Sequence, residues 1–301
     1  MSQETMQGVL CMQKPAEFTS FDVIGKLRGI LHMRRLGHTG TLDPMATGVL
    51  PVLVGKAARA CDILPDQSKM YRATVQFGWE TDTEDVWGTR TAVYPEMHVT
   101  KEALDAVLPQ FVGAIQQVPP MYSAVSVEGT RLYELARRGV VIERPARTVQ
   151  VDSIVLEAWD EDKQTAELSV ACGKGTYIRT LLEDIAAAMG QKGTMSALRR
   201  TSAGVYTEAD AHTLEEILAA KEQGMDALEA LMLPVESVFE SLPLLVVEPW
   251  VEQHLYNGCP TSRYPAADGR YRVRNAAGQF LGLANIVQGV LRVEKLFVER
   301  N

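Results

Sequence analysis

The sequence has few of the features that mark membrane, secreted or zinc-binding proteins. No apolar run approaches the ~18 residues of a membrane-spanning helix. Four cysteines occur in 301 residues, far apart and without a Cys-x-x-Cys pair, which favours reduced, packed thiols over disulfides or a zinc site. Residues 1–5 show no basic region followed by an apolar one, so no signal peptide is expected. We therefore expect a cytoplasmic protein without a membrane partner.

Standard catalytic signatures are also missing. The sequence contains no P-loop, no Gly-x-Ser-x-Gly elbow, no histidine pair with metal-ligand spacing and no dinucleotide fingerprint. Any activity must therefore come from residues outside these motifs, and no metal site is predicted.

Basic residues are fewer than acidic ones: the sequence has 30 Lys and Arg, 38 Asp and Glu, and a formal net charge of −8. This balance at first argues against a nucleic-acid partner. The acids are concentrated between residues 205 and 240, where nine of them accompany the single base Lys221, whereas residues 22–62 and 172–204 are each net positive. Binding of a polyanion depends on such local patches more than on the total charge. Taken singly, each basic stretch is also explained as a solvated helix face.

Hydrophobic periodicity predicts a mixture of strands and helices. Strands are predicted over residues 8–13, 49–54, 70–77, 148–158, 165–172, 194–201, 244–247, 271–275, 280–287 and 290–298. Helices are predicted over residues 21–31, 56–64, 100–111, 130–138, 180–189 and within the acidic region 210–232. Because no strict βαβ rhythm appears, we expect an α+β fold with a mixed, largely antiparallel sheet.

The domain organisation is predicted from composition and proline positions. A first domain is expected over residues 1–242, with an arginine-rich insertion at about 116–147, and a small β-rich domain over 243–301. The insertion is either a mobile arm that closes on RNA or a surface hairpin with solvated arginines.

The loop Gly37-His38-Thr39-Gly40-Thr41-Leu42-Asp43-Pro44 is the most unusual segment. Pro44 disfavours the α conformation at Asp43, and Gly37, Gly40 and Gly48 permit close backbone approaches. Two interpretations remain open from the spacing: a stiff loop that presents one carboxylate, or a tight turn whose aspartate caps its own backbone.

Other polar and aromatic residues are candidates for the same site, but no spacing rule brings them together. Tyr71 is either a functional side chain or a core aromatic with a wet hydroxyl. Tyr177 and Arg179 begin a helix after a glycine-rich turn, and Leu198 precedes the Arg199-Arg200 pair. Arg179 is also explained as a helix-face charge and Leu198 as a core residue.

Residues 37–51, GHTGTLDPMATGVLP, closely resemble the catalytic motif of the pseudouridine synthases that act on uridine 55 of bacterial tRNA, the TruB family. Several other segments are similar to motifs of that family: Lys14-Pro15, Thr19-Ser20, Tyr71-Arg72-Ala73, residues 81–85, residues 119–124, residues 131–139, Tyr177-Ile178-Arg179 and residues 197–201. The resemblance is strong over residues 8–210, and the last sixty residues resemble, more weakly, the PUA-type β-barrel of this family. It implies a pseudouridine synthase fold with an RNA-clasping insertion.

The resemblance also implies roles for individual residues. Asp43 would be the catalytic carboxylate, as nucleophile or otherwise, with Arg179 keeping it ionised and oriented. Tyr71 would stack on the flipped uracil and accept the C5 proton, and Tyr177 and Leu198 would line the base pocket. His38 would fill the space left by the flipped nucleotide or contact the RNA. Lower-ranked RNA contacts are Lys14, Arg131, Arg137, Arg138, Arg199 and Arg200.

The implied substrate is the T arm of tRNA, converted without a cofactor, a metal or an obligatory protein partner, by a monomer. Two alternatives stay open: an RNA-guided relative that needs protein partners, and a tRNA-folding protein whose chemistry is incidental. The sequence departs from the family at Glu17, where glycine is usual, and at Phe21, where histidine is usual.

Overall fold

Strands and helices succeed one another irregularly in the computed structural model, which describes residues 6–127 and 129–298. The strands are β1 (Gly8–Lys14), β2 (Leu36–His38), β3 (Thr47–Val54), β4 (Lys69–Phe77), β5 (Trp79–Thr81), β6 (Arg90–Val93), β7 (Gly113–Gln117), β8 (Ser126–Val127), β9 (Thr130–Arg131), β10 (Arg147–Asp160), β11 (Thr165–Cys172), β12 (Gly193–Ala203), β13 (Tyr206–Thr207), β14 (Leu244–Val247), β15 (Gly269–Asn275), β16 (Phe280–Val287) and β17 (Val290–Leu296). The α-helices are α1 (Ser20–Leu31), α2 (Lys101–Val107), α3 (Leu132–Arg137), α4 (Ile178–Ala188), α5 (Leu214–Gln223), α6 (Met225–Ala230) and α7 (Pro249–Tyr256). Short 3-10 helices cover Gly55–Ala60, Leu108–Phe111, Glu208–Asp210 and Val235–Phe239. The prediction about a signal peptide rests on residues 1–5, which lie outside the described residues.

One large sheet forms the frame of the molecule, in the order β1-β3-β12-β4-β11-β10-β7. The short strands β2 and β13 extend it by pairing with β3 and β12. Strands β3 and β12 are parallel, and the other neighbours in this order are antiparallel. The predicted α+β class with a mixed, largely antiparallel sheet is confirmed. The parallel pair matters for the site because it joins the end of the Asp43 loop to the strand that carries Leu198.

Helix α1 is fixed by its own sequence and then attached to the Asp43 loop. The Thr19 hydroxyl accepts from the Asp22 N–H at 3.0 Å, and the Asp22 carboxylate accepts from the Thr19 N–H at 2.7 Å, which forms a capping box. Residues at helical spacing face the core: Val23, Ile24, Leu27, Ile30 and Leu31. The Ser20 hydroxyl accepts from the Leu42 N–H at 2.9 Å, so the first turn of α1 holds the loop.

The arginine-rich segment projects from the edge of the large sheet. Strands β7 and β10, which flank it, are paired neighbours at that edge, and the chain between them contains β8, β9 and α3. Gln116 and Gln117 therefore belong to the sheet, although the sequence prediction assigned them to the insertion. The predicted Thr130 cap is wrong, because Thr130 lies in β9 and α3 begins at Leu132.

A second sheet with the order β14-β15-β16-β17 forms most of the C-terminal region. Within the described residues this sheet is open, so the predicted PUA-like barrel is not confirmed. The prediction of strands and turns alone misses helix α7. Pro249 stands in its first turn, where a proline is well tolerated because its missing N–H would have no partner in the helix.

The C-terminal sheet shares a hydrophobic core with the large sheet. Leu283 and Phe297 are buried in the same cluster as Val9 and Val49, and the Phe297 ring lies 5.6 Å from that of Phe239. Nearby, three arginines at alternate positions of β15 contact the body of the protein: Arg270, Arg272 and Arg274. The domain boundary at residue 242 thus stays a prediction, since the two sheets are hydrogen-bonded separately but packed together.

No helix in residues 6–127 or 129–298 is long and apolar enough to cross a membrane.

The prediction of reduced cysteines is confirmed, because all four are free. Burial raises the pKa of the Cys11 thiol to about 12 and that of Cys172 to about 11, which makes both unreactive packing residues. Cys259 is exposed, unlike the others.

Candidate active site

The Asp43 loop is a tight turn between β2 and β3. The Ala46 N–H donates to the Asp43 carbonyl at 3.0 Å, so Asp43 and Pro44 stand at the first two positions of a β-turn. Proline favours the second position because its φ is already near the required value. The turn is closed by the backbone carbonyl of Asp43, and its carboxylate faces Arg179. The loop is thus a tight turn, but its aspartate side chain binds Arg179 instead of capping the turn, as the interpretation of a presented carboxylate predicts.

Two hydrogen bonds to the Pro44 carbonyl hold the turn in place. The Lys14 ammonium donates to the Pro44 carbonyl at 3.2 Å, and the Glu17 N–H donates to the same oxygen at 2.9 Å. Glu17 makes this contact with φ of 68°, in the left-handed region that favours glycine. Gly48 has φ of 101°, and a Cβ there would lie 2.2 Å from the Arg200 carbonyl oxygen. Close approach of β3 to β12 thus requires glycine at position 48.

Arg179 binds the Asp43 carboxylate through two nitrogens. Its Nε lies 2.9 Å from Asp43 Oδ2, and its Nη2 lies 3.3 Å from Oδ1. The Arg179 side chain is 4% exposed, whereas that of Asp43 is 33% exposed. A buried guanidinium that contacts both oxygens fixes the direction of the carboxylate, and the remaining exposure leaves that carboxylate open to a ligand.

Three further groups surround the Arg179 guanidinium. Its Nη1 donates to the Thr83 carbonyl at 2.8 Å, and its Nη2 donates to the Tyr122 carbonyl at 2.8 Å. The Asp85 carboxylate lies 3.9 Å from Nε. Burial raises the pKa of Asp85, against the hydrogen bond from Thr83 and the charge of Arg179. The sequence prediction gives these residues no role, although residues 81–85 and 119–124 carry part of the family resemblance.

The start of helix α4 is held by a glutamine of the sheet. The Gln117 side-chain amide donates to the Tyr177 carbonyl at 3.0 Å and accepts from the Tyr177 N–H at 2.8 Å. Gln117 is 2% exposed, so this double contact is shielded from water. It fixes the residue that precedes α4 and thereby the position of Arg179 in the first turn. Burial raises the pKa of the Tyr177 hydroxyl, which therefore stays protonated at neutral pH.

Tyr71 and Leu198 lie on the same face of neighbouring strands. Leu198 on β12 stands opposite Ala73 on β4, and Arg200 stands opposite Tyr71. Since residues two apart in a strand share a face, Tyr71, Leu198 and Arg200 all point to one side of the sheet. Tyr71 is 6% exposed, and burial raises its pKa against the opposing charge of Arg200. Tyr71 is thus a neutral phenol at neutral pH.

Lys14 and Arg200 are buried, which does not fit their prediction as RNA contacts. Both are 0% exposed. Lys14 donates to the carbonyls of Pro15, Phe18 and Pro44, and burial lowers its pKa to about 8. Arg200 donates to the Val49 carbonyl at 2.7 Å and the Gly40 carbonyl at 3.2 Å. These two cations support the Asp43 loop from inside by donating to backbone carbonyls there.

His38 precedes the loop and contacts Phe21 of α1. The two rings meet edge to face at 5.7 Å between centroids, with 71% of Phe21 exposed. Burial and the charge of Arg200 lower the pKa of His38, so its imidazole is neutral at pH 7. An exposed phenyl ring beside a neutral imidazole forms an apolar edge next to the Asp43 loop.

The other predicted RNA contacts lie at the surface. Arg131, Arg137, Arg138 and Arg199 are exposed. Three of them have protein partners: Arg199 pairs with Glu208, and the Arg137 guanidinium lies 5.4 Å from the Tyr133 ring centre. Arg131 donates to the Ala124 carbonyl. In the described part of the chain no three His, Cys, Asp or Glu side chains are grouped to hold a metal ion.

Comparison with known families matches most of the chain. The model of the TruB family pseudouridylate synthase N-terminal domain matches residues 28–178, and that of the tRNA pseudouridylate synthase B C-terminal domain matches residues 179–240. The protein named tRNA pseudouridine synthase B from Synechococcus elongatus is 43% identical over 290 residues, covering 95% of this chain and 96% of that protein. Its namesake from Stutzerimonas stutzeri is 42% identical over 284 residues, covering 93% and 92%.

Solved structures share the fold at lower identity. The protein in a structure described as an H/ACA RNP bound to a substrate RNA containing 2'-deoxyuridine aligns with a TM-score of 0.75 at 22% identity, covering 98% of this chain and 86% of that chain. A Cbf5-Nop10-Gar1 complex contains a chain with a TM-score of 0.75 at 24% identity, covering 97% and 85%. These two likenesses concern the fold alone. Together with the family matches over residues 28–240, the sequence relatives show that the chain is an enzyme of the isomerase class and belongs to the TruB family of pseudouridylate synthases.

Proposed function

We propose that this protein converts uridine 55 in the T arm of tRNA to pseudouridine, with Asp43 as its catalytic carboxylate. The observation that carries the proposal is the Asp43–Arg179 pair, in which a buried guanidinium orients a carboxylate that is still one-third exposed. Four relatives with near-complete coverage bear the name tRNA pseudouridine synthase B, which supports tRNA as the substrate.

The reaction breaks the N1–C1′ bond of the target uridine and forms a C5–C1′ bond. The base must first leave its stack, because its sugar is otherwise inaccessible to a side chain. Asp43 then acts at the ribose, either by attacking C1′ or by assisting departure of the uracil. Either route needs a carboxylate held at a fixed angle, which the two contacts from Arg179 provide.

The isomerisation requires one proton to leave C5 and one to reach N1. Tyr71 is the proposed acceptor at C5, and its ring would stack on the detached uracil. Because burial raises its pKa, the phenol is protonated beforehand. It can accept the C5 proton only while its own hydroxyl proton passes through water to N1, so Tyr71 acts as a relay and the proton lost at C5 is balanced by the one gained at N1. Leu198 and Tyr177 would close the apolar sides of this pocket.

RNA binding is proposed to use the exposed arginines of the insertion and a surface of the C-terminal region. In that region Arg270, Arg272 and Arg274 are engaged by Glu294 and Glu236, which leaves the exposed Arg263 and Arg292 as candidates for phosphate contacts. A PUA-like role for residues 243–301 belongs to this proposal. Affinity should fall with rising salt, because phosphate contacts release counterions. Binding that is independent of salt would contradict this part.

A deletion of residues 243–301 is an unsuitable test of the C-terminal region. It would remove Phe280, Leu283 and Phe297 from a core that they share with β1 and β3, and unfolding would result. The double variant Arg263→Glu, Arg292→Glu leaves the core intact. We expect weaker tRNA binding with an unchanged rate at saturation. Unchanged affinity would remove the C-terminal region from the binding surface.

The proposed reaction needs neither a cofactor nor a protein partner. It is tested by incubating the purified protein alone with an unmodified tRNA transcript and mapping pseudouridine along the RNA. A transcript in which cytidine replaces the target uridine is the matched control. Product at that uridine alone is expected. Absence of product from a folded transcript would favour the alternative of a tRNA-folding protein, and product that appears only with added cell extract would favour the partner-dependent alternative.

A further inference from the structure

The segment Thr83-Glu84-Asp85 contacts Arg179 from two sides. The Thr83 carbonyl accepts from Arg179 Nη1 at 2.8 Å, and the Asp85 carboxylate lies 3.9 Å from Nε. Thr83 contributes a backbone carbonyl and Asp85, two residues later, a side chain, and the backbone turns between them. The turn occurs at Glu84, whose φ is 65°, in the left-handed region.

A left-handed glutamate is unfavourable unless its surroundings hold it. Glu84 is held at both its backbone and its side chain. Its carbonyl accepts from the Met195 N–H of β12 at 3.1 Å, and its Oε2 accepts from the Thr180 hydroxyl at 2.6 Å. Thr180 follows Arg179 in α4, so the anchor of the turn and the cation that the turn surrounds are adjacent in the chain.

We propose that Glu84 is a positioning residue of the active site: its anchored left-handed turn presents the Thr83 carbonyl and the Asp85 carboxylate to Arg179, and this arrangement holds Arg179 against Asp43. The inference rests on the proposed function, since it concerns the residue that orients Asp43. The hydrogen bonds that hold Glu84 come from Thr180 and Met195, so its role is to position Arg179 and not to take part in the chemistry.

The charge of Glu84 strengthens this anchor. An ionised carboxylate accepts a hydroxyl hydrogen bond about twice as strong as a neutral acceptor does. The charged groups that face it are Arg179, Glu183 and Asp184 of α4, and Glu183 in turn lies near the Lys192–Glu80 pair. Burial, with the charges of Glu183 and Asp184, raises the pKa of Glu84 to about 7 against the bond from Thr180 and the charge of Arg179. Its charge therefore changes near neutral pH, and the anchor is strongest above that pH.

Two variants separate the side chain from the backbone turn. Glu84→Gln keeps an oxygen acceptor for Thr180 but carries no charge at any pH. Glu84→Gly accepts the left-handed conformation without strain but lacks the anchor. Gln288→Gly is the matched control, because Gln288 also has a left-handed φ, 51°, and lies in the distant β16–β17 turn.

The test measures single-turnover rates on a tRNA transcript from about pH 6 to pH 8, together with tRNA affinity. We expect the wild-type rate to rise through this range, the Glu84→Gln rate to stay near the wild-type low-pH value, and Glu84→Gly to be slower by roughly tenfold or more at every pH. Affinity should stay within about twofold in all variants, because the RNA surface is untouched. His38 does not account for a rise above pH 6.5, since its pKa is lowered from that value.

The Asp43→Asn variant, measured alongside, separates two kinds of failure. If Asp43→Asn is inactive while both Glu84 variants retain the wild-type rate and pH profile, the role of Glu84 is refuted and the proposed function stands. If Asp43→Asn remains active, the proposed function fails first. A Glu84→Gly defect that appears only as weaker tRNA binding would also contradict a positioning role. Gln288→Gly should have the wild-type rate at every pH. A rate loss equal to that of Glu84→Gly would mean that glycine in any left-handed turn slows the enzyme, wherever the turn lies.

Discussion

Arg179 contacts both carboxylate oxygens of Asp43 across 136 positions of sequence. The guanidinium lies in the first turn of α4, which Gln117 holds by the backbone of Tyr177, and the carboxylate leaves a β-turn that Lys14 and Ser20 support. Each side chain is thus positioned by contacts of its own backbone segment, in addition to the ion pair between them. An arrangement of this kind loses little on substrate binding, because the reacting group is already oriented.

Replacing Arg179 by lysine tests whether orientation or charge alone matters. Lysine keeps the positive charge but cannot contact both oxygens of Asp43 and the carbonyls of Thr83 and Tyr122 together. We expect the single-turnover rate on tRNA to fall by about 10²-fold, with tRNA affinity within a few-fold of the wild type. Circular dichroism should confirm the fold. A lysine variant of near-normal rate would mean that the fixed angle of Asp43 is unimportant.

Tyr71→Phe removes the hydroxyl and keeps the ring. If Tyr71 relays the C5 proton, this variant should bind tRNA normally and release almost no tritium from uridine labelled at C5. The loss should be at least the ~10²-fold typical of a missing general base. Tyr71→Leu, which also removes the stacking surface, should in addition weaken binding. Normal tritium release from Tyr71→Phe would require another acceptor for the proton.

Gly48→Ala should destabilise the protein by about 2–4 kcal/mol, because a Cβ would meet the Arg200 carbonyl and the left-handed φ would be strained. Gly25→Ala is the matched control. Gly25 lies inside α1, where an added Cβ meets nothing within 4 Å, so alanine should stabilise the helix by about 0.5–1 kcal/mol. Urea unfolding measures both. Equal effects of the two substitutions would contradict the close packing of β3 on β12.

Glu84→Gln should change how stability depends on pH. Because the folded state raises the pKa of Glu84 from 4.5 to about 7, the folded protein binds a proton more tightly than the unfolded chain between these values. The free energy of unfolding of the wild type therefore falls as pH rises through this window. The full destabilisation by the buried, ionised Glu84 is present above about pH 7. The Glu84→Gln variant does not lose stability in this way, because glutamine does not ionise.

The free energy of unfolding of Glu84→Gln relative to wild type should thus increase by roughly 2 kcal/mol between about pH 5 and pH 8. Thermal or urea unfolding at several pH values measures the difference, and Gln288→Gly should show none. A constant difference across this range would mean that Glu84 does not titrate there. A more stable but slower Glu84→Gln enzyme would show that this carboxyl is kept for function at a cost in stability.

Local signals in the sequence predicted much of the secondary structure. The helical spacing of apolar residues over 21–31 predicted α1, and the alternation along residues 70–77 predicted β4. Such local signals could not predict which strands pair. The parallel pairing of β3 with β12 joins segments that are far apart in the sequence, so it depends on the packing of the whole chain. Helix α7 was missed, although Pro249 in its first turn is a favourable first residue of a helix.

The candidate site was predicted in part, and through the family resemblance more than through spacing. Asp43 and Arg179 proved to be in contact, and Tyr71 and Leu198 proved to share a face. Lys14 and Arg200 are buried, although a cation is normally expected at the surface, and only the folded chain shows that both donate to backbone carbonyls inside. The carbonyls of Thr83 and Tyr122 carry no side-chain signal at all.

Asp43→Asn is the sharpest test of whether Asp43 performs the chemistry. The variant is incubated with an unmodified tRNA transcript at enzyme excess, and pseudouridine at the target uridine and tRNA affinity are both measured. We expect no detectable pseudouridine, with affinity within about threefold of the wild type, because phosphate contacts provide most of the binding. Pseudouridine formed by Asp43→Asn at a rate near that of the wild type would contradict this role of Asp43.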